Sequence, residues 1–509
     1  MQRFWISLAC GAALLAGAAA LDAASAQTRL RIGLAEDPDI LDPTLARTYV
    51  GRIVFSSICD KLFDIDEKLQ IVPQLALDHK TSPDGKTLTI KLRAGVNFHD
   101  GEKMDAAAVK ASLERHMTMQ GSFRRPELAQ VERVDVVDPL TVNLILKTPF
   151  APLVAQLADR SGMILSPKAI KEAGDKFGLK PVCAGPYKFV ERVQQDRIVV
   201  ERFSDYWDKA NVFIDRIVYL PIPDATVRLA NLRSGALDLI ERASATDLKD
   251  IKANPALRLA TQIEIGYQGI TLNVANGEAG TKGPFAKSPK VRQALEAAIN
   301  REALIQVVFN GEYLPGNQWV SPKNPYYQER FPVPKTDVAR AKALLKEAGL
   351  NTPVDVDFMV PNSPENRQVA EVIQAMAKEA GFNMKIRATE FATSLKEAES
   401  GRFQAFLIGW SGRVDPDGNS YIFHKCKAPQ NNHGVCKAEV DAALEEARTK
   451  NALADRKKAY EKVADVVLKE GGVIYLYHRL VIIAHTAKLE GYRQMPDGLV
   501  RVVGLRLKP

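Results

Sequence analysis

The sequence predicts a mixed α/β protein of several domain-sized units. Three observations carry that prediction: helical and strand periodicities alternate along the chain, residues 83–117 spell turn, strand, turn and helix in succession, and 509 residues exceed what a single core usually organises. The stretch at 83–117 is the clearest. Pro83-Asp84-Gly85 is a turn signal, because proline presets one φ and glycine tolerates a positive one. Leu88, Ile90 and Leu92 then alternate with Thr87, Thr89, Lys91 and Arg93, the period of a half-buried strand. Phe98-His99-Asp100-Gly101 ends it. Asp105 can cap a helix carrying Val109, Leu113 and Met117 four residues apart.

The other elements follow in order. Leu30 to Leu34 alternates as an opening strand, and Leu41-Asp42-Pro43 closes the loop after it. Val291 to Arg301 reads as one helix with Val291, Leu295 and Ala298-Ile299 on a face. Ala341 to Gly349 and Val369 to Ala380 are further helices, the latter followed by Gly381. Met384 to Arg387 is a strand, and Phe403 to Trp410 is a largely buried strand running out to a polar loop. No internal repeat, low-complexity tract or long linker interrupts this order.

The N-terminus sets the compartment. Arg3, an apolar run from Phe4 to Leu21 and the small residues Ala24-Ser25-Ala26 before Gln27 make a secretory signal peptide over 1–26, too short and alanine-rich for a membrane span. Cys10 does not make a lipid-anchor site, since Ser7 rather than leucine stands three residues before it. No later run is apolar enough to cross a bilayer, so the expected product is exported, soluble and about 480 residues long. The net charge of +8 is dispersed among acids; even Arg456-Lys457-Lys458 is flanked by Asp455 and Glu461. Nucleic acid is not an expected partner, because no basic patch or recognition module is visible.

Catalytic patterns are missing. There is no Gly-x-Ser-x-Gly, phosphate loop, dinucleotide fingerprint or His-Glu-x-x-His. Gly409-Trp410-Ser411-Gly412 comes nearest to a nucleophile elbow but lacks the last spacing. His79, His99, His116, His478 and His485 show no ligand spacing. No cofactor is expected and no enzyme activity is implied.

As a string, the segment from Pro83 to Arg115 resembles the signature of the family 5 extracytoplasmic solute-binding proteins. So do, in order, Leu41-Asp42-Pro43, Pro149 to Leu153, Leu165 to Lys168, Ala184 to Phe189, Tyr206-Trp207 and Leu232 to Asp238. One departure is Cys183-Ala184, where the family usually has Gly-Thr. The resemblance implies a two-lobed periplasmic binding protein fold (type II-like, cluster C) with an extra inserted domain. Lobe I would be discontinuous over 27–50, 165–270 and 480–509, the inserted domain would cover 51–164, and lobe III 271–479. It implies the substrate-binding component of an ABC importer, located in the periplasm and acting as a monomer. The chain would capture a peptide, opine-like or related small polar ligand between closing lobes and pass it to membrane permease subunits. The rivals are an exported hydrolase and, on the same fold, a haem or metal-complex carrier.

Three loops match the ligand-lining loops of such proteins: Glu36 and Asp37 after the first strand, Tyr267 and Gln268, and the loop from Trp410 to Pro416. In peptide-binding relatives an aspartate three residues after the tryptophan meets the peptide's ammonium. Here that position is Arg413, whose planar fork suits carboxylate or phosphate. Either Asp415 takes the amine, or the ligand is acidic and Arg413 faces it, or Arg413 serves a salt bridge with no ligand role. Trp410 is a candidate stacking wall. Some peptide-binding members carry a cystine where Cys426 and Cys436 stand. In an exported chain a disulfide is preferred there to a zinc site built with His424 and His433. Cys59 and Cys183 could pair or stay buried and free.

Overall fold

The computed structural model describes residues 27–508 except Lys323, so the expected signal segment 1–26 lies outside the described residues. Two large mixed sheets and one small antiparallel sheet organise the chain. The first is seven-stranded, in the spatial order 257–263, 480–486, 239–240, 29–34, 216–221, 197–202 and 187–193. It gathers three separate stretches of sequence around Arg29–Leu34, which pairs in parallel with Arg216–Pro221 and with Leu239–Ile240. The second sheet is six-stranded, in the order 314–315, 473–478, 267–272, 405–410, 354–361 and 382–389. Helices such as Pro364–Glu379 and Pro289–Ala298 cover it with apolar faces that include Val369, Ile373, Val291 and Leu295.

The small sheet carries the stretch that was most legible. Thr87–Leu92 is a strand with Leu88, Ile90 and Leu92 buried, and Gly85 turns into it at φ +70. The helix Ala106–Thr118 is capped by the Asp105 carboxylate, which accepts from the Ala108 N–H at 2.9 Å. Val109 and Leu113 of that helix close a core over the sheet with Val134, Val142 and Leu144. One expected helix is two. The run from Val291 stops at Ala298, Ile299 turns extended, and the Asn300 side chain caps a new helix, Arg301–Phe309, by accepting from Ala303 N at 2.9 Å. A cap side chain beat the apolar periodicity.

Both cysteine pairs are bonded. Cys59 and Cys183, with Cα atoms 4.9 Å apart, tie together the two stems of the segment that carries the small sheet. A loop above a hundred residues is the length at which a cross-link restricts the unfolded chain by roughly 5 kcal/mol. Cys426 and Cys436, Cα atoms 4.8 Å apart, close the short polar loop.

The chain passes between the two large sheets at two adjacent places, Glu264–Gly266 and Arg479. These crossings are laced together. Glu264 N donates to Arg479 O at 2.9 Å, Arg479 N donates to the Glu264 carboxylate at 2.8 Å, and the His478 ring Nδ1 donates to Gly266 O at 2.6 Å. Gly266 is required there, because an added Cβ would lie 1.8 Å from Trp410 O. Two paired strand crossings between two rigid sheets make a hinge.

Candidate functional site: a cleft at the hinge

Between the two large sheets, and ending at the hinge, lies a cleft with about 1570 Å³ of empty space, its solvent-open mouth included. Its lining alternates aromatic and charged groups. Tyr267 sets its ring edge-on to Tyr475 at 4.8 Å, and Phe423 does the same to Trp410 at 4.9 Å. Tyr313 and Tyr477, 5.6 Å apart, form a second aromatic wall. Such rings supply apolar contact at small entropic cost while their polar tips stay available.

The charges concentrate at the hinge end, where Glu36, Glu264, Glu365, Arg242 and Arg479 line the cleft. Arg242 reaches Glu36 at 3.5 Å, lies over the Tyr49 ring at 4.7 Å and is held in the left-handed region at φ +49. A non-glycine residue in that conformation marks a place where surroundings override local preference. Arg479 reaches Glu365 at 3.5 Å. Burial raises the Glu36 carboxyl above its ordinary value against the pull of Arg242. Burial likewise raises Glu264.

The expected site residues divide into two groups. Glu36, Tyr267, Gln268 and Trp410 meet in the cleft lining. Asp37, Arg413 and Asp415 do not. Asp37 turns to the 187–202 hairpin, where Arg192 holds it at 2.9 Å and Gln195 N donates to it at 3.1 Å. Asp415 is gripped by both Arg456 Nη atoms at 2.6 Å. Arg413, which is not part of the cleft lining, stacks on Trp410 at 4.3 Å, and its Nε pairs with Asp159 at 2.6 Å. Arg52 reaches the same carboxylate at 2.9 Å. Burial pulls the Arg413 guanidinium down to about 9, with Asp159 opposing.

Sequence reasoning missed Arg242, Glu264, Tyr313, Glu365, Tyr477 and Arg479. A signal existed for two of them. His478-Arg479 interrupts the apolar run 473–484, and Glu264 stands between Ile263 and Ile265; charge inside a strand-like run is uncommon unless it faces a partner or a cavity. His424 and His433 do not face the cleft. Val435 N donates to His433 Nδ1 at 2.9 Å, His433 contacts His424 at 3.3 Å, and His424 contacts the Tyr475 hydroxyl at 2.9 Å.

Residues 70–432 match the family described as Bacterial extracellular solute-binding proteins, family 5 Middle. The chain belongs to that family. It is a solute-binding protein of the kind that serves ABC importers. Among curated relatives, the glutathione-binding protein GsiB of Pectobacterium atrosepticum is 32% identical over 472 residues, covering 90% of each chain. The Escherichia coli K12 protein of the same name is 30% identical over 470 residues, again covering 90% of each. Among solved structures, the periplasmic binding protein AgaA of A. tumefaciens R10 in complex with agropinic acid superposes with a TM-score of 0.85 at 27% identity. That superposition covers 94% of this chain and 99% of the other. NikA from Staphylococcus aureus in complex with Ni(L-His)2 has a TM-score of 0.84 at 20% identity, covering 94% and 100%; at that identity the likeness concerns the fold. The two-lobed architecture expected from the sequence is therefore shown. No helix of the described residues is long and apolar enough to cross a membrane.

Proposed function

We propose that this chain is a periplasmic receptor and not an enzyme: it captures a small peptide or amino-acid conjugate in the hinge cleft and delivers it to membrane permease subunits. The observation that carries this reading is the cleft itself, placed between two sheets joined by two short crossings and lined by paired carboxylates, guanidiniums and tyrosines. Those groups match the ammonium and carboxylate ends of peptides and opine-like compounds. The glutathione-binding and agropinic-acid-binding relatives fall in the same chemical class. Glu36, Tyr267, Gln268 and Trp410 act as ligand contacts on this reading, while Asp37, Arg413 and Asp415 hold the surrounding loops. The sheets also suit the division into lobe I (27–50, 165–270 and 480–509), an inserted domain (51–164) and lobe III (271–479).

Calorimetry on the mature chain with glutathione, di- and tripeptides and agropinic acid, run beside mass spectrometry of the same mixtures, tests this. Binding without chemical change, with a smaller radius of gyration in solution scattering, is expected. Conversion of a bound compound into product would sink the receptor reading.

A further inference from the structure

Glu264 differs from every other charged group at the hinge end of the cleft. It lines the cavity yet is only 6% exposed. Arg242 pairs with Glu36 and Arg479 with Glu365, but among the described residues no lysine or arginine side chain comes within ion-pair distance of Glu264. Its oxygens are held by neutral donors only. Gln268 Nε2 lies 3.2 Å from both, and the Arg479 backbone N–H donates to Oε1 at 2.8 Å.

The arrangement is built. Gln268 lies flat across Gly409, where an added Cβ would stand 2.1 Å from Gln268 Oε1. Gly409 thus clears the path by which the amide reaches the carboxylate. Those two residues come from adjacent strands of the second sheet, paired at Gln268–Gly409, and Glu264 comes from the crossing itself. Arg479 and Arg242 act on Glu264 only through space, and a buried carboxylate fixed in orientation without a cation in contact is costly in an empty protein. Such groups mark functional sites when they face a cavity.

We infer that Glu264, oriented by Gln268, seats a cationic nitrogen of the ligand, an ammonium or guanidinium, at the hinge end of the cleft. This assignment rests on the receptor reading above. It makes recognition sense mechanically, because the anchor lies in a hinge crossing: a cation held there is enclosed when the second sheet closes over it, and exclusion of water strengthens the pair.

The test uses the mature chain and two variants, Glu264→Gln and Gly409→Ala. The probes are glutathione and a panel of di- and tripeptides, each matched with its N-acetylated counterpart. The wild type is expected to bind free amines and to bind their acetylated partners at least tenfold more weakly. Glu264→Gln should lose at least tenfold in affinity for the free amines, yet melt in the empty state at or above the wild-type temperature. A residue that merely held the fold together would not give that opposed pair of changes. Gly409→Ala, by displacing Gln268, should weaken the same ligands in the same order. Unchanged affinity in Glu264→Gln, or equal binding of amine and acetylated forms by the wild type, would overturn the cation seat while leaving the receptor reading intact. Absence of any binding across the panel would count against the receptor reading and the seat together.

Discussion

Glu264 and Asp159 are carboxylates of nearly equal burial, 6% and 5% exposed, in opposite electrostatic situations. Asp159 lies against Arg52 from the helix Tyr49–Ile58 and Arg413 from the loop after the strand Ala405–Trp410. It ties the small-sheet segment to both large sheets. Gln156 adds a bond from the same segment to Asp417 at 3.1 Å, and Arg448 grips that carboxylate at 2.7 Å. Glu264 has no cation in contact among the described residues, feels Arg479 and Arg242 only through space, and opens on the cleft. Where the protein supplies the counter-charge, a buried charge holds parts together; where it withholds it beside a cavity, the ligand completes the pair.

Removing charges one at a time should separate the two roles. The largest effect belongs to Asp159→Ala, which strands Arg413 and leaves Arg52 only Asp497 at 3.9 Å. It should cost about 3–5 kcal/mol of unfolding free energy in urea titration, the usual result of orphaning a buried charge. Arg413→Ala leaves Asp159 with Arg52, so a smaller loss of about 1–3 kcal/mol is expected, with the cation–π contact to Trp410 also gone. Were Arg413 to face the ligand, Arg413→Ala would spare the empty protein and weaken binding. The ion pair with Asp159 leads us to expect that order reversed. Glu264→Gln is the counterpart, with a binding loss of tenfold or more, about 1.4 kcal/mol, and no loss of stability.

A pH series should show the smallest effect and the sharpest contrast. Burial alone would raise Asp159, but Arg413, Arg52 and Arg160 pull it well below the ordinary 3.8. Its folded value is depressed, so its contribution to stability is present above the ordinary value and is lost only as pH falls to the depressed one. Burial raises Glu264 above 4.5. A ligand cation requires it ionised, so affinity should fall as pH drops through that raised value, while the ion pairs of Asp159 persist. Calorimetric titrations from pH 8 down through the carboxyl range should give a falling binding constant for the wild type and a shallower fall for Glu264→Gln, in which Glu36, also raised by burial, still titrates. Parallel slopes would show that another group sets the pH dependence.

Much of the fold was legible because it rests on local chemistry. The turn at Gly85, the strand 87–92 and the Asp105 cap need only residues within a few positions of one another. The strand before Trp410 and the glycine after Ala380 are of the same kind. Of the expected site residues, four line the cleft and three do not. Tyr267, Gln268 and Trp410 sit at strand ends and Glu36 in the loop just after the first strand, positions that turn toward the cleft. Arg413 could not be placed, because its direction depends on Asp159, 254 positions earlier in the chain. Asp37 depends in the same way on Arg192, and the Cys59–Cys183 bond on the return of the chain after the small sheet. Glu264 and Arg479 acquire meaning only when the two crossings lie side by side. That adjacency belongs to the topology and is not written in either segment.

The most direct test is native mass spectrometry of the protein purified without added ligand, followed by release and identification of whatever is bound. The account predicts a single compound of a few hundred daltons that carries a cationic nitrogen, present on the wild type and depleted on Glu264→Gln under the same conditions. A neutral or purely anionic compound, retained equally by both proteins, would contradict it.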